Sequence, residues 1–232
     1  MNNWKTGILA VLAALAFAAS AEAGPIIDWD PIFFYAPASS TPTNQPIGNA
    51  LSGVGTVSKF DVPFDDLDAM DPTREYTIYL YGLTSLGTVV DGAPGLQFYT
   101  TNYSGGTIEI YEDLSPDHDY GVNPPNGTAP STFTDGTLIL SGVFTRFVVH
   151  TNDFTQFQTG NAEGDINWTG GTLYDRTFAG GEPCPGLFTG GLTWRASQLI
   201  EGYLFKHDGK IDLNCPVPTA PSSWGKVKAQ YR

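Results

Sequence analysis

Apolar and polar residues alternate from Tyr76 to Tyr81: Tyr76, Ile78 and Leu80 fall on one side, Thr77, Tyr79 and Tyr81 on the other. A repeat of two is the period of a β-strand, whose successive side chains point to opposite faces. The second face is itself aromatic, so it is either buried as well or used to bind something. Ile108 and Ile110 alternate in the same way with Thr107, Glu109 and Tyr111 and predict a half-buried strand. Thr137 to Val149 follows the turn signal Asp135-Gly136 and is rich in β-branched and aromatic residues, with Gly142 midway as the mark of a bulge or bend. It reads as a long central strand.

Further strands are predicted at IIDWDPIFFY, at LSGVGTVSKFDVPF from Leu51 and at LQFYTT from Leu96. FTQFQT and DINWTGGTLYD read as two short strands separated by Gly160 and Gly164, and Asp208-Gly209 in IEGYLFKHDGKIDLN carries the signal of a two-residue hairpin turn. Apolar residues do not recur at helical spacing before the last segment. Many short strands punctuated by Gly and Pro define an all-β protein, and the expected architecture is an antiparallel two-sheet sandwich of jelly-roll or immunoglobulin-like type over residues 24–215.

Two stretches resist regular structure. Asp113 to Thr134 carries Pro116, Pro124, Pro125 and Pro130 with Asn126-Gly127, so neither a helix nor a strand runs through it, and a loop of that length marks the first place to look for recognition. Asp65 to Asp71 is an acidic turn. At the start, residues 1–23 place Lys5 before the run ILAVLAALAFAA and end in Ala21-Glu22-Ala23, the three-part layout of an export signal with a cleavage site. The apolar run is shorter than a spanning helix and no second one of that length follows, so no transmembrane segment is expected after cleavage. Residues 216–232 are set apart by Pro216, Pro218 and Pro221 and end in a basic tail bearing Lys226, Lys228 and Arg232, expected to serve as an interaction or sorting tail.

Acidic residues number 24 against 11 basic ones, a net charge of −13 that is unchanged when Lys5 and Glu22 leave with the signal. Such a field repels phosphate backbones, so nucleic acid is excluded as a partner. Cys184 and Cys215 are the only cysteines, and an even count in an exported chain predicts a disulfide, closing a loop of about 32 residues.

YSGGTIEIYED, NPPNGTAPSTFTDGTLILSG and DINWTGGTLY resemble a pattern in exported bacterial proteins, among them surface proteins sorted by PEP-CTERM signals. The resemblance covers residues 51–175 and implies an extracellular β-sandwich without an assigned activity. The chain departs from that group at its end, where Pro216-Val217-Pro218 runs into SSWGKVKAQYR without a hydrophobic helix.

His118, His150 and His207 show no metal-binding spacing, and neither a G-x-S-x-G elbow nor a phosphate-cradling glycine loop is present. The chain therefore reads as non-catalytic, with no required cofactor. Asp113, Asp117 and Asp119 concentrate oxygen donors in one loop and nominate calcium as its ligand, although Thr128 stands where an EF-hand carries its bidentate Glu. Trp168 and Trp194 lead a set of aromatics, with Trp29, Tyr79, Tyr81, Tyr99 and Tyr103, suited to stacking on sugar rings. The first reading is an exported, non-catalytic cell-surface or extracellular-matrix protein. The second is a carbohydrate-binding module whose partner is an extracellular polysaccharide or cell-envelope component, and the third is a polysaccharide-active hydrolase using a carboxylate pair.

Overall fold

Each long strand of this chain has neighbours on both sides, and that one property decides the architecture. The computed structural model describes residues 25–121, 130–154 and 157–215. The expected export signal (1–23) and tail (216–232) lie outside the described residues. The strands are β1 (Pro25–Tyr35), β2 (Ala50–Phe60), β3 (Glu75–Ala93), β4 (Leu96–Ser104), β5 (Thr107–Asp113), β6 (Thr137–Phe154), β7 (Phe157–Gly170), β8 (Phe178–Ala179), β9 (Glu182–Pro183), β10 (Gly186–Thr193) and β11 (Phe205–Leu213). β8 and β9 form a small hairpin of their own.

The remaining strands close into an eight-position antiparallel barrel, not the two-sheet sandwich expected from strand count. β1 pairs with β2 on one edge and β11 on the other, so that Ile27 stands opposite both Phe60 and Ile211. β4 and β5 lie end to end between the long strands β3 and β6, and together fill one position in the ring. The strand pattern of a sandwich and that of a barrel are the same; only the β1–β11 and β2–β3 pairings distinguish them.

An eight-stranded barrel has an interior just wide enough for side chains to fill. Here it is filled by large rings, among them Trp29, Phe34, Phe147, Phe188 and Phe205, all fully buried. Glycines on the inward rank leave room for them: a Cβ at Gly53 would come within 2.9 Å of the Phe34 ring, and one at Gly164 within 2.9 Å of Phe144. This pairing of small with large residues explains two further departures from expectation. Gly160 and Gly164 do not separate two strands but lie within continuous β7. Asp208-Gly209 makes no hairpin; both sit inside β11, where a Cβ at Gly209 would press to 2.4 Å from the Thr189 carbonyl. Gly142 does mark a bulge, since the register of β6 on β7 slips between Ser141 and Gly142.

Cys184 and Cys215 are disulfide-bonded. They lie just beyond the last β10–β11 pair, Gly186 with Leu213, where the Asn214 N–H also donates to the Pro185 carbonyl at 2.8 Å. On the outward rank Arg146 binds Glu163 at 2.6 Å and Asp165 at 2.8 Å across β6 and β7, and Lys210 holds Asp212 at 3.1 Å. Among the described residues no helix is long and apolar enough to cross a membrane.

Candidate functional site

The outer face of β3 and β5 gathers most of the chemistry. Tyr76, Ile78 and Leu80 point into the barrel, so the alternation puts Glu75, Thr77, Tyr79 and Tyr81 outside. The register sets these opposite Asp113, Tyr111, Glu109 and Thr107 of β5. One continuous ladder results, acidic at one end and phenolic at the other.

The acidic end is roofed by the polypeptide that follows β5. Thr77 Oγ1 donates to the Phe133 carbonyl at 2.9 Å, and Phe133, Phe33, Val54 and Tyr203 form a second small core outside the barrel. Tyr120 packs its ring on Phe33 and Phe133 and donates its hydroxyl to the Pro31 carbonyl at 3.1 Å. Residues 122–129 of the predicted recognition loop lie outside the described residues.

Glu75 is buried at this end, and its carboxylate ties the roof down. Oε1 accepts the backbone N–H groups of Asp117 and His118 at 2.9 and 3.0 Å, and Oε2 pairs with His118 Nδ1. Oxygens of Glu75, Asp113 and Asp117 lie within 4.8 Å of one another. Desolvation, followed by the charges of Asp135, Asp113 and Glu75, holds the Asp117 carboxyl above the usual carboxylate range. Of the trio nominated from sequence, Asp113 and Asp117 are together, whereas Asp119 turns away to accept the Gly121 N–H at 2.7 Å. Glu75 replaces it, and no spacing rule pointed to it because it comes from another strand. All-oxygen donors suit a hard cation, with carbonyls or water completing the six to eight oxygens that Ca²⁺ takes. Melting in millimolar Ca²⁺ against chelator checks the calcium expectation: a rise that disappears in Asp117→Asn supports it, and an unchanged melt removes it.

The Asp65–Asp71 turn is employed in folding. Asp66 pairs with Arg176, Asp68 accepts the Met70 N–H at 2.9 Å, and Asp71 accepts the Thr73 N–H at 2.9 Å.

At the phenolic end Tyr79 and Tyr81 stack with centroids 4.8 Å apart and planes 21° from parallel, both rings partly exposed. Tyr81 and Tyr111 donate their hydroxyls to the two oxygens of Glu109, at 3.1 and 2.7 Å. Burial comes first, and then the Glu109 charge and the hydrogen bonds that Glu109 accepts, in pushing the Tyr81 and Tyr111 phenols above their usual range. They stay neutral hydrogen-bonding groups throughout the physiological range.

The other nominated aromatics lie elsewhere. Trp29, Tyr103, Trp168 and Trp194 are buried in the main core, where they offer no face to a ligand. Tyr99 is half-buried and bonded to Gln97 at 3.0 Å. His207 is inside the barrel and His150 bonds Thr100 at 3.0 Å on the outer face, so the three histidines do not meet. No protein-family model, curated protein or solved structure matches this chain.

Proposed function

We propose that the protein is an exported, non-catalytic protein of the cell surface or extracellular matrix that holds polysaccharide on the outer face of β3 and β5. The observation that carries this reading is the stacked, partly exposed Tyr79–Tyr81 pair beside Glu109. Tyrosine rings offer an apolar face to the C–H groups of a pyranose, and a carboxylate retains lone pairs for sugar hydroxyls after accepting one bond on each oxygen. The platform lies along a strand, as an extended chain of sugar units requires. The acidic surroundings repel uronate and sulfate polymers and favour neutral ones.

The test is binding of the purified chain to a panel of neutral and anionic polysaccharides. Saturable binding to a neutral polymer is expected, weakened about tenfold in Tyr81→Ala, the value of roughly 1.4 kcal/mol for a lost aromatic contact. Trp168→Ala and Trp194→Ala are unsuitable probes, since they remove core side chains and act through folding. Absence of binding, or binding indifferent to Tyr81, leaves the purely structural role. Turnover of any polymer in the panel would favour the hydrolase reading.

A further inference from the structure

Most glycines in this barrel have a steric reason. Gly191 has none: its φ lies outside the left-handed region, and a Cβ there would meet no atom within 4 Å. Glycine inside a strand costs about 0.5–1 kcal/mol relative to alanine, so the position gives up stability without serving the packing of the chain. What it leaves is space. Gly191 sits on the outward rank of β10 between Asn161 of β7 and Asp208 of β11, and its missing side chain opens a notch of about 390 Å³. That is the lower end of small-ligand pockets and holds about one sugar ring.

The walls are polar. Thr159 and Gln198 line the notch, and neither side chain bonds another described residue. Lys206 Nζ is committed to Asp30 at 3.1 Å, whereas Asp208 has no ion pair among the described residues. Burial, then the charges of Asp30 and Asp28, hold the Asp208 carboxyl above its usual range against the smaller opposing effect of Lys206.

We propose that this notch is a binding site for a protonated amino sugar, which sets its ammonium on the Asp208 carboxylate and its hydroxyls on Thr159 and Gln198. The site is across the ring from β3 and independent of the tyrosine face. A neutral sugar would leave the Asp208 charge unanswered, and an anionic one would oppose it.

The experiment is calorimetric or NMR titration of the purified chain with glucosamine, with glucose, N-acetylglucosamine and lysine amide as comparison arms. Glucosamine is expected to bind saturably and the two uncharged sugars about tenfold more weakly or worse, the factor for one charge-assisted hydrogen bond. Asp208→Asn should weaken glucosamine by a similar factor. Gly191→Val puts a good strand former into the notch at a position where a Cβ meets no atom within 4 Å, so it should abolish binding without lowering the melting temperature. Failure of the wild-type chain to bind glucosamine overturns the proposal. So does undiminished binding in Gly191→Val or Asp208→Asn, or equal binding of lysine amide, which would assign the notch to an amine without a sugar.

Discussion

Replacing His207 with Phe is expected to make the protein less stable at pH 7 and more stable at pH 4, so that the two stability curves cross. His207 is completely buried within the barrel, stacked on Phe188 with centroids 5.0 Å apart. Its Nδ1 accepts the Trp29 Nε1–H at 3.1 Å, which places the ring proton on Nε2, facing the Gly190 and Ala162 backbone. Desolvation lowers its pKa from 6.5 to about 3. The unfolded chain therefore binds a proton below pH 6.5 that the native barrel refuses until about pH 3. Stability from the neutral imidazole is complete above the unfolded pKa and is lost as pH falls toward the folded one, up to about 5 kcal/mol in all. Phe cannot titrate, so this loss vanishes in the variant. At neutral pH the variant instead leaves the Trp29 N–H without its acceptor, at a cost of about 1–3 kcal/mol. Urea denaturation of both proteins from pH 7 to pH 4 measures the difference, and the carboxylates common to both cancel. Parallel curves would show that His207 does not set the acid limit.

Removing both cysteines, as Cys184→Ser with Cys215→Ser, is expected to lower stability by about 3.7 kcal/mol, from the entropy of the loop no longer closed in the unfolded chain. The two residues are 31 apart in sequence. For a domain of this size that loss corresponds to roughly 7–15 °C in melting temperature. The effect falls on β11, which completes the barrel by pairing with β10 on one side and β1 on the other. A melt within about a degree of wild type would mean that the ladder alone holds this strand.

The strands were legible because alternation is local. Tyr76 to Tyr81 and Thr107 to Tyr111 are strands as their patterns require. Closure was not legible, because a strand with one buried face reads the same in a sandwich and in a barrel. A signal was nonetheless present: Gly160, Ala162 and Gly164 repeat at intervals of two and face inward, which is spacing for large rings opposite and not punctuation between strands. The candidate site was half legible. Tyr79 and Tyr81 followed from the aromatic second face of their strand, but alternation cannot say which side is inside, so Trp168 and Trp194 were assigned to a surface they do not reach. Glu75 joins Asp113 and Asp117 only through strand pairing. The Gly191 notch was hidden for the same reason, since its walls come from three strands and a turn.

Because β1 is the first strand among the described residues and a partner of the last, the ring stays open without β11. In that state the β11-facing edge of β1 and an edge of β10 present unpaired backbone, the kind of edge that recruits other chains. Contacts between residues distant in sequence form late because their loops are entropically costly, and all-β domains of this type fold in milliseconds to seconds. Closure of the barrel therefore requires Phe205 to Leu213, because without it neither β1 nor β10 has a partner on that side.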